Sequence, residues 1–185
     1  LHRLALITLA FALAACAETP KKTAPPPPRP APPQPGHLER RFDATRGMTL
    51  LRVRPKTPPP PGRSLALVAA GGFAGHTSRG YGNLVIGLRS AGPGFHLASC
   101  KTITLAIDDR NLGTFAATRQ TEIGAGWLAE YILAAVPFTR AYALVTRSAG
   151  RPIEVRACEA HHRLDADEHD RLRQLVNALV PSRAP

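Results

Sequence analysis

Residues 102–116 read TITLAIDDRNLGTFA, and this stretch carries a clear antiparallel β pattern. Apolar and polar side chains alternate over Thr102–Ile107, which predicts a strand with one buried face. The polar run Asp108–Asn111 has the composition of a tight turn, and Leu112–Ala116 predicts the returning strand. The stretch therefore predicts an antiparallel hairpin, and the segments on both sides continue the β pattern.

Short apolar runs bounded by glycine, proline and polar clusters predict the other strands. These are Phe42–Pro55, Ser64–Ala70, Asn83–Leu88, Phe95–Ser99, Arg119–Ile123, Trp127–Val136, Pro152–Ala157 and Ala160–Leu164. The segment Gly71–Gly82 contains five glycines and predicts a loop. Strands at this spacing predict a sandwich-like β-rich architecture.

Two segments predict helices. Residues 137–150 place Phe138, Ala141, Tyr142 and Val145 on one face. Residues 166–180 follow a capping box formed by Asp165 and Glu168 and carry a stripe of five apolar side chains: Leu172, Leu175, Val176, Leu179 and Val180. The predicted fold class is therefore a β-rich α+β, antiparallel β-sandwich-like domain over residues 42–181, whose last helix is C-terminal and amphipathic.

A proline-rich segment precedes this domain. Residues 17–36 contain nine prolines, which fix φ and lack an N–H group, so the segment is unsuited to a helix or sheet. We expect a polyproline II spacer that reaches roughly 60 Å at about 3.1 Å per residue. Residues 16–41 are therefore predicted to be an anchor and linker.

The first 15 residues predict a signal peptide. Leu4–Ala15 is uncharged and too short to span a bilayer as a helix. It ends in Leu13-Ala14-Ala15-Cys16, which resembles the lipobox of bacterial lipoproteins. The resemblance implies cleavage before Cys16, acylation of that cysteine and a membrane-lipid partner. The alternative is a secreted protein cut at an Ala-x-Ala site within residues 10–14.

Ala17 follows the lipidated position, where an Asp would favour the inner membrane, so the resemblance implies the outer membrane and a periplasmic domain. The net charge is +11; residues 1–62 hold ten Lys/Arg and three Asp/Glu, so most of the excess lies in the N-terminal third of the chain. Such a basic segment favours an anionic surface, although an arginine-rich genome would give the same excess. The chain shows no nucleic-acid-binding motif, and we expect no nucleic-acid partner.

Two cysteines remain after Cys16. Cys100 and Cys158 are an even number of thiols in an oxidising compartment, which favours a disulfide between them. The alternative is two buried free thiols that pack as small apolar side chains.

No other pattern predicts a catalytic, cofactor or metal site. In GHTSRG, residues 75–80, the serine lies one residue too far from the first glycine for a nucleophile elbow. The metal-like residues Glu159, His161, His162 and His169 lack a ligand-set spacing, because neighbouring strand residues point to opposite faces. Turn formation accounts for Asp108 and Asp109, and we expect Glu122 and Glu130 to be solvated on a sheet surface.

From Phe42 onward, the chain also resembles a loose group of uncharacterised bacterial envelope proteins. The shared features are the turn at Ile107-Asp108-Asp109, a strand carrying Glu130, then a helix, two short strands and a terminal helix. The resemblance implies sandwich architecture and no activity. We expect a non-enzymatic structural or protein-interaction role in the envelope. The alternative is a periplasmic binding module for a small ligand or cell-wall polymer, using the Gly71–Gly82 loop.

Overall fold

The computed structural model describes residues 38–54, 64–77, 82–92, 96–124 and 127–181. They form β1 (Leu38–Asp43), β2 (Met48–Val53), β3 (Ser64–Ala74), β4 (Asn83–Gly92), β5 (Thr102–Ile107), β6 (Arg110–Gly124), β7 (Trp127–Val136), α1 (Phe138–Ser148), β8 (Ile153–Ala157), β9 (Ala160–Arg163) and α2 (Ala166–Ala178). The β-rich α+β prediction is confirmed. No helix in these ranges is long and apolar enough to cross a membrane.

All strand pairs are antiparallel, in the order β1-β2-β3-β4-β7-β6-β5-β8-β9. Strand β6 joins two halves of this sheet, because its first half pairs with β5 and its second half with β7. The halves face each other, since β3 contacts β9 and β4 contacts β8. This arrangement accounts for the sandwich-like architecture.

The hairpin predicted over residues 102–116 is present with a two-residue turn. Ile107 pairs with Arg110, and the intervening Asp108 and Asp109 have φ angles of 45° and 63°. Aspartate tolerates these left-handed angles better than most residues, and such a turn matches the twist of the two strands. Turn formation thus accounts for both aspartates, as predicted.

Three predicted strand boundaries are wrong. The segments Leu112–Ala116 and Arg119–Ile123 belong to one strand, β6, because no turn residue separates them. Phe42–Pro55 is not one strand: it contains the end of β1, a turn and β2. The Asp43 carboxylate accepts hydrogen bonds from the backbone N–H groups of Thr45 and Arg46, which closes that turn. Strand β1 also begins at Leu38, four residues before the predicted domain start.

Two further predictions in the β region are wrong. The glycine-rich segment is not all loop, because Gly71–Ala74 completes β3. A Cβ atom at Gly71 would lie 2.7 Å from Leu179 Cδ1, so the glycine allows α2 to approach the sheet. Residues 96–99, predicted as part of a strand, form bends and turns instead, and Phe95 lies outside the described residues.

Both helices pack on one side of the sheet formed by β1 to β4 and β7. Helix α2 contacts β2, β3 and α1, and α1 contacts β4 and β5. The predicted stripe of α2 is buried at Leu172, Leu175, Val176 and Leu179, whereas Val180 follows the helix and is exposed. In α1 the predicted Tyr142 is exposed and Leu144 is buried in its place. The core therefore lies between the helices and the inner faces of both halves of the sheet.

Candidate functional site

The predicted lipidation site lies outside the described residues. Cys16, the signal peptide and the proline-rich segment 17–36 fall within residues 1–37, and a second proline run, Pro58–Pro61, which predicts a loop, lies in the gap at residues 55–63. The geometry of the folded domain can therefore be compared only with the predictions for residues within the described ranges.

Cys100 and Cys158 are joined as a disulfide in the structure, with Cα atoms 5.5 Å apart. Cys100 is buried at the end of the β4–β5 connection, and Cys158 is exposed in the β8–β9 turn with a φ of 50°. The bond ties that connection to the second half of the sheet across a sequence separation of 58 residues.

We expect protein purified from the envelope to contain this disulfide. Alkylation without reduction should leave both thiols unmodified, and Cys100→Ser/Cys158→Ser should lower the free energy of unfolding by about 2–5 kcal/mol. Non-reducing peptide mass spectrometry and denaturant unfolding measure the two quantities. Two alkylatable thiols in the denatured, unreduced protein would contradict the pairing.

The same connection is held by Glu130, which was wrongly predicted to be solvated. This residue is only 1% exposed and lies on the inner face of β7, opposite Ser90 of β4. Its Oε2 atom accepts hydrogen bonds from the backbone N–H groups of His96 and Leu97, at 2.5 and 3.0 Å. Arg119 of β6 donates to the carbonyl of Ala98 at 2.9 Å. Glu130 and Arg119 therefore fix the path of residues 96–98 over the sheet.

Glu130→Ala is expected to loosen this connection locally. The substitution removes the acceptor of two backbone N–H groups, and an unsatisfied buried donor costs about 1–3 kcal/mol. Amide hydrogen exchange at His96 and Leu97 should accelerate, whereas Glu122→Ala, at an exposed position of β6, should leave these amides unchanged. Unaltered exchange in Glu130→Ala would contradict the assigned role.

A second buried carboxylate, Glu168, joins three elements. It is 4% exposed at the start of α2. Its Oε1 atom accepts the Leu67 N–H of β3 at 2.7 Å, and Oε2 accepts the Asp165 N–H at 3.2 Å. The imidazole Nε2 of His162, on β9, lies 2.7 Å from Oε2. Burial alone raises the pKa of Glu168, but the bonds from His162 and the two backbone groups outweigh it, so the pKa is lowered.

The histidines do not converge on a common point. His161 contacts Glu154 at 3.1 Å, His162 contacts Glu168, and His169 contacts Ser148 of α1 at 2.9 Å. The opposite orientations predicted for neighbouring residues of β9 account for the first two partners. In the described ranges, no group of three His, Cys, Asp or Glu side chains could hold a metal ion.

A shallow cleft of about 200 Å³ lies at the β5–β6 turn, lined by Asp108, Asp109, Pro152, Glu154 and Arg163. Its acidic groups are paired, because Asp108 bonds Arg151, and Asp109 and Glu154 both bond Arg156. The hydrogen bond from Arg156 lowers the pKa of Glu154. Ligand pockets span about 300–1,000 Å³ and are mostly apolar, so this charged cleft is a poor ligand site.

The face of the sheet turned away from the helices is unusually apolar for an exposed surface. We call it the outer face. Its centre consists of apolar side chains that are partly or fully exposed: Ala66, Val68, Ala70, Val85, Leu133 and Ala135. Their neighbours along each strand, such as Leu67, Ile86 and Ile132, are buried on the inner face. No described helix covers the outer face.

Cross-strand register makes this centre continuous. Val68 pairs with Gly87, which pairs with Leu133, and the next row runs from Ala70 through Val85 to Ala135. Leu133 Cδ2 lies 2.8 Å from the position that a Cβ of Gly87 would occupy, so the leucine lies over the glycine. The result is a flat, apolar surface. The sequence holds a signal for it, since residues 66–70, 84–88 and 132–136 are apolar on both faces, which is typical of sheets covered on both sides. Arg89 and Tyr131 border this apolar centre on the outer face.

The Gly71–Gly82 segment, predicted as the binding loop of the alternative function, is only partly a loop in the structure. Of the Gly71–Gly82 segment, the first four residues are strand and only residues 75–77 and 82 are described outside β3 and β4. Comparison of the chain with protein-family models, curated proteins and solved structures gives no match.

Proposed function

We propose that this chain is a lipoprotein of the bacterial envelope whose folded domain has a structural or protein-interaction role. In this proposal acylated Cys16 anchors the chain in the outer membrane, and residues 17–36 are a spacer that lets the domain lie at any distance up to roughly 60 Å from the lipid. The match of Leu13-Ala14-Ala15-Cys16 to the lipobox supports the anchor. The role is non-enzymatic.

The apolar centre of the outer face is the observation that carries the interaction role. A solvated face of an antiparallel sheet ordinarily carries polar residues. Here Val68, Val85 and Leu133 occupy that face instead. Removing apolar surface from water contributes about 25 cal/mol per Å², so a flat apolar partner surface would gain affinity by covering it.

The two buried carboxylates are consistent with a non-enzymatic role. Glu130 accepts backbone N–H groups of the β4–β5 connection, and Glu168 accepts those of β3 and of the α2 N-terminus. Each carboxylate therefore joins elements of secondary structure. Both residues therefore have a structural role.

Site-specific photo-crosslinking tests the interaction role. A photoreactive phenylalanine analogue at Leu133 probes the outer face, and the same analogue at Tyr142, which is 45% exposed on α1, is the matched control. Irradiation of intact cells should give an adduct with one envelope protein from position 133 and none from position 142. Equal adducts from both positions, or none, would contradict the proposal. An adduct with the mass of two copies would show that the outer face binds a second copy of this chain and not a different protein.

A further inference from the structure

The edge hairpin formed by β1 and β2 is strongly basic. Residues 38–54 contain five arginines and two acidic residues, which gives this short segment a net charge of +3. Strand β1 forms one edge of the sheet, so the hairpin lies at the periphery of the domain.

Three of the five arginines have partners within the fold. Arg54 pairs with Glu39, and Arg46 lies 3.8 Å from Asp43. Arg40 bonds the carbonyl of His76, and its guanidinium lies 5.1 Å from the Phe73 ring centroid. These three arginines are occupied by contacts within the domain.

Arg41 and Arg52 differ from the other three. Both are exposed, and no hydrogen bond or ion pair joins either side chain to another described residue. Arg41 pairs across the hairpin with Leu50, which is followed two residues later by Arg52 on the same face of β2. Leu50 is 38% exposed and is one of the few large apolar side chains on the described surface. Two available guanidinium groups therefore flank an exposed leucine.

This composition suits the surface of an anionic bilayer. A guanidinium group forms charge-assisted, often bidentate, hydrogen bonds with phosphate oxygens. Between two such groups, an apolar side chain can enter the boundary of headgroups and acyl chains. A basic residue near such a surface contributes about a fivefold increase in binding.

The position of the hairpin along the chain places it near the proposed anchor. Leu38 follows Cys16 by 22 residues, so β1 is the described element nearest to the proposed anchor. Tethering gives a high effective concentration, so a weak surface contact is sufficient. We propose that the face of this hairpin carrying Arg41, Leu50 and Arg52 rests on the anionic lipid surface to which the chain is anchored. The nearness and the identity of this surface rest on the proposed anchor, whereas the affinity of the hairpin face for anionic lipid does not.

The lipid contact is compatible with a protein partner on the outer-face centre. Strands β2 and β7 are three positions apart in the sheet. Neighbouring strands rotate by about 20–25°, so the surfaces at Leu50 and Leu133 differ in direction by about 60–75°. Arg52 pairs with Ala70 of β3, so the hairpin face adjoins the β3 side of the centre, and it is the β7 side at Leu133 that remains accessible when the hairpin faces lipid.

Vesicle binding tests the inference without the anchor. A chain that begins at Ala17 keeps every described residue and lacks both the apolar leader and Cys16. It should co-sediment with vesicles containing phosphatidylglycerol at low salt and much less with pure phosphatidylcholine vesicles. Arg41→Gln/Arg52→Gln should weaken binding to the anionic vesicles by about 25-fold, the product of two fivefold effects.

A second double variant tests whether vesicle binding depends on the hairpin face or only on the total charge of the protein. Arg140→Gln/Arg147→Gln removes the same charge from exposed positions of α1 and should weaken binding only slightly. Circular dichroism melting should give the same midpoint for both double variants. Equal weakening by the two pairs, or no preference for anionic vesicles, would overturn the inference. Neither result depends on whether Cys16 is acylated.

Discussion

Leu175→Ala is expected to lower the free energy of unfolding by about 2–5 kcal/mol. Leu175 is 1% exposed on the face of α2 that packs against β2 and β3. Truncation there leaves a cavity beneath the helix, and typical domains are stable by only about 5–15 kcal/mol. Denaturant unfolding followed by circular dichroism measures the loss.

Arg173→Ala is the control for this prediction, because Arg173 is exposed on the same helix and pairs only with Asp170. An exposed pair within one helix contributes about 0.3–0.5 kcal/mol. Small, equal losses in the two variants would contradict the assignment of α2 to the core. They would instead assign its apolar stripe to a partner.

Glu168→Ala is expected to destabilise the domain by about 3–5 kcal/mol, because it removes one member of a buried, hydrogen-bonded pair. The substitution leaves His162 and the Leu67 N–H group without their acceptor and also removes half of the capping box. Glu159→Ala changes an exposed glutamate in the β8–β9 turn and should have little effect. Similar unfolding free energies for the two variants would contradict the role of Glu168.

The pH dependence of stability follows from the same contacts. Because the pKa of Glu168 is lowered in the folded state, its ionised form stabilises the protein above the ordinary carboxyl pKa. This contribution is lost as pH falls through the folded-state pKa. The difference in unfolding free energy between wild type and Glu168→Gln should therefore be largest near neutral pH and shrink below about pH 4. A difference independent of pH would contradict this linkage.

The patterns formed by residues close together in the sequence predicted much of the fold. The alternation in Thr102–Ile107 and the aspartates that follow specify a hairpin without help from distant residues. The same holds for α2, where the box formed by Asp165 and Glu168 fixes the start and the leucine spacing fixes the buried face. In both elements the pairing partners or caps are adjacent in sequence, so periodicity and turn chemistry suffice.

Distant contacts account for what the sequence did not predict. Glu130 resembles a surface glutamate in sequence, but it is buried because the N–H groups of His96 and Leu97 meet it across the sheet. Gly71 has the composition of a loop, yet it lies in β3, where it pairs with Leu51 and Leu84 and leaves room for Leu179. Neither contact leaves a local signature in the sequence.

The outer face was missed for a related reason. Apolar runs predicted buried strands, and periodicity alone does not tell which side a helix covers. Once α1 and α2 lie on the same side, Val68, Val85 and Leu133 remain on the side that no described helix covers. The candidate docking face is therefore a consequence of helix placement and not of any motif.

The central claim is that Cys16 anchors this domain to an envelope membrane. Metabolic labelling with a tagged fatty acid measures it directly, with Cys16→Ser as the matched variant and immunoblotting as the check on equal expression. The account predicts label on the wild-type protein and none on Cys16→Ser, together with a shift of the variant from the membrane fraction to the soluble fraction. Label retained on Cys16→Ser, or absent from both proteins, would contradict it.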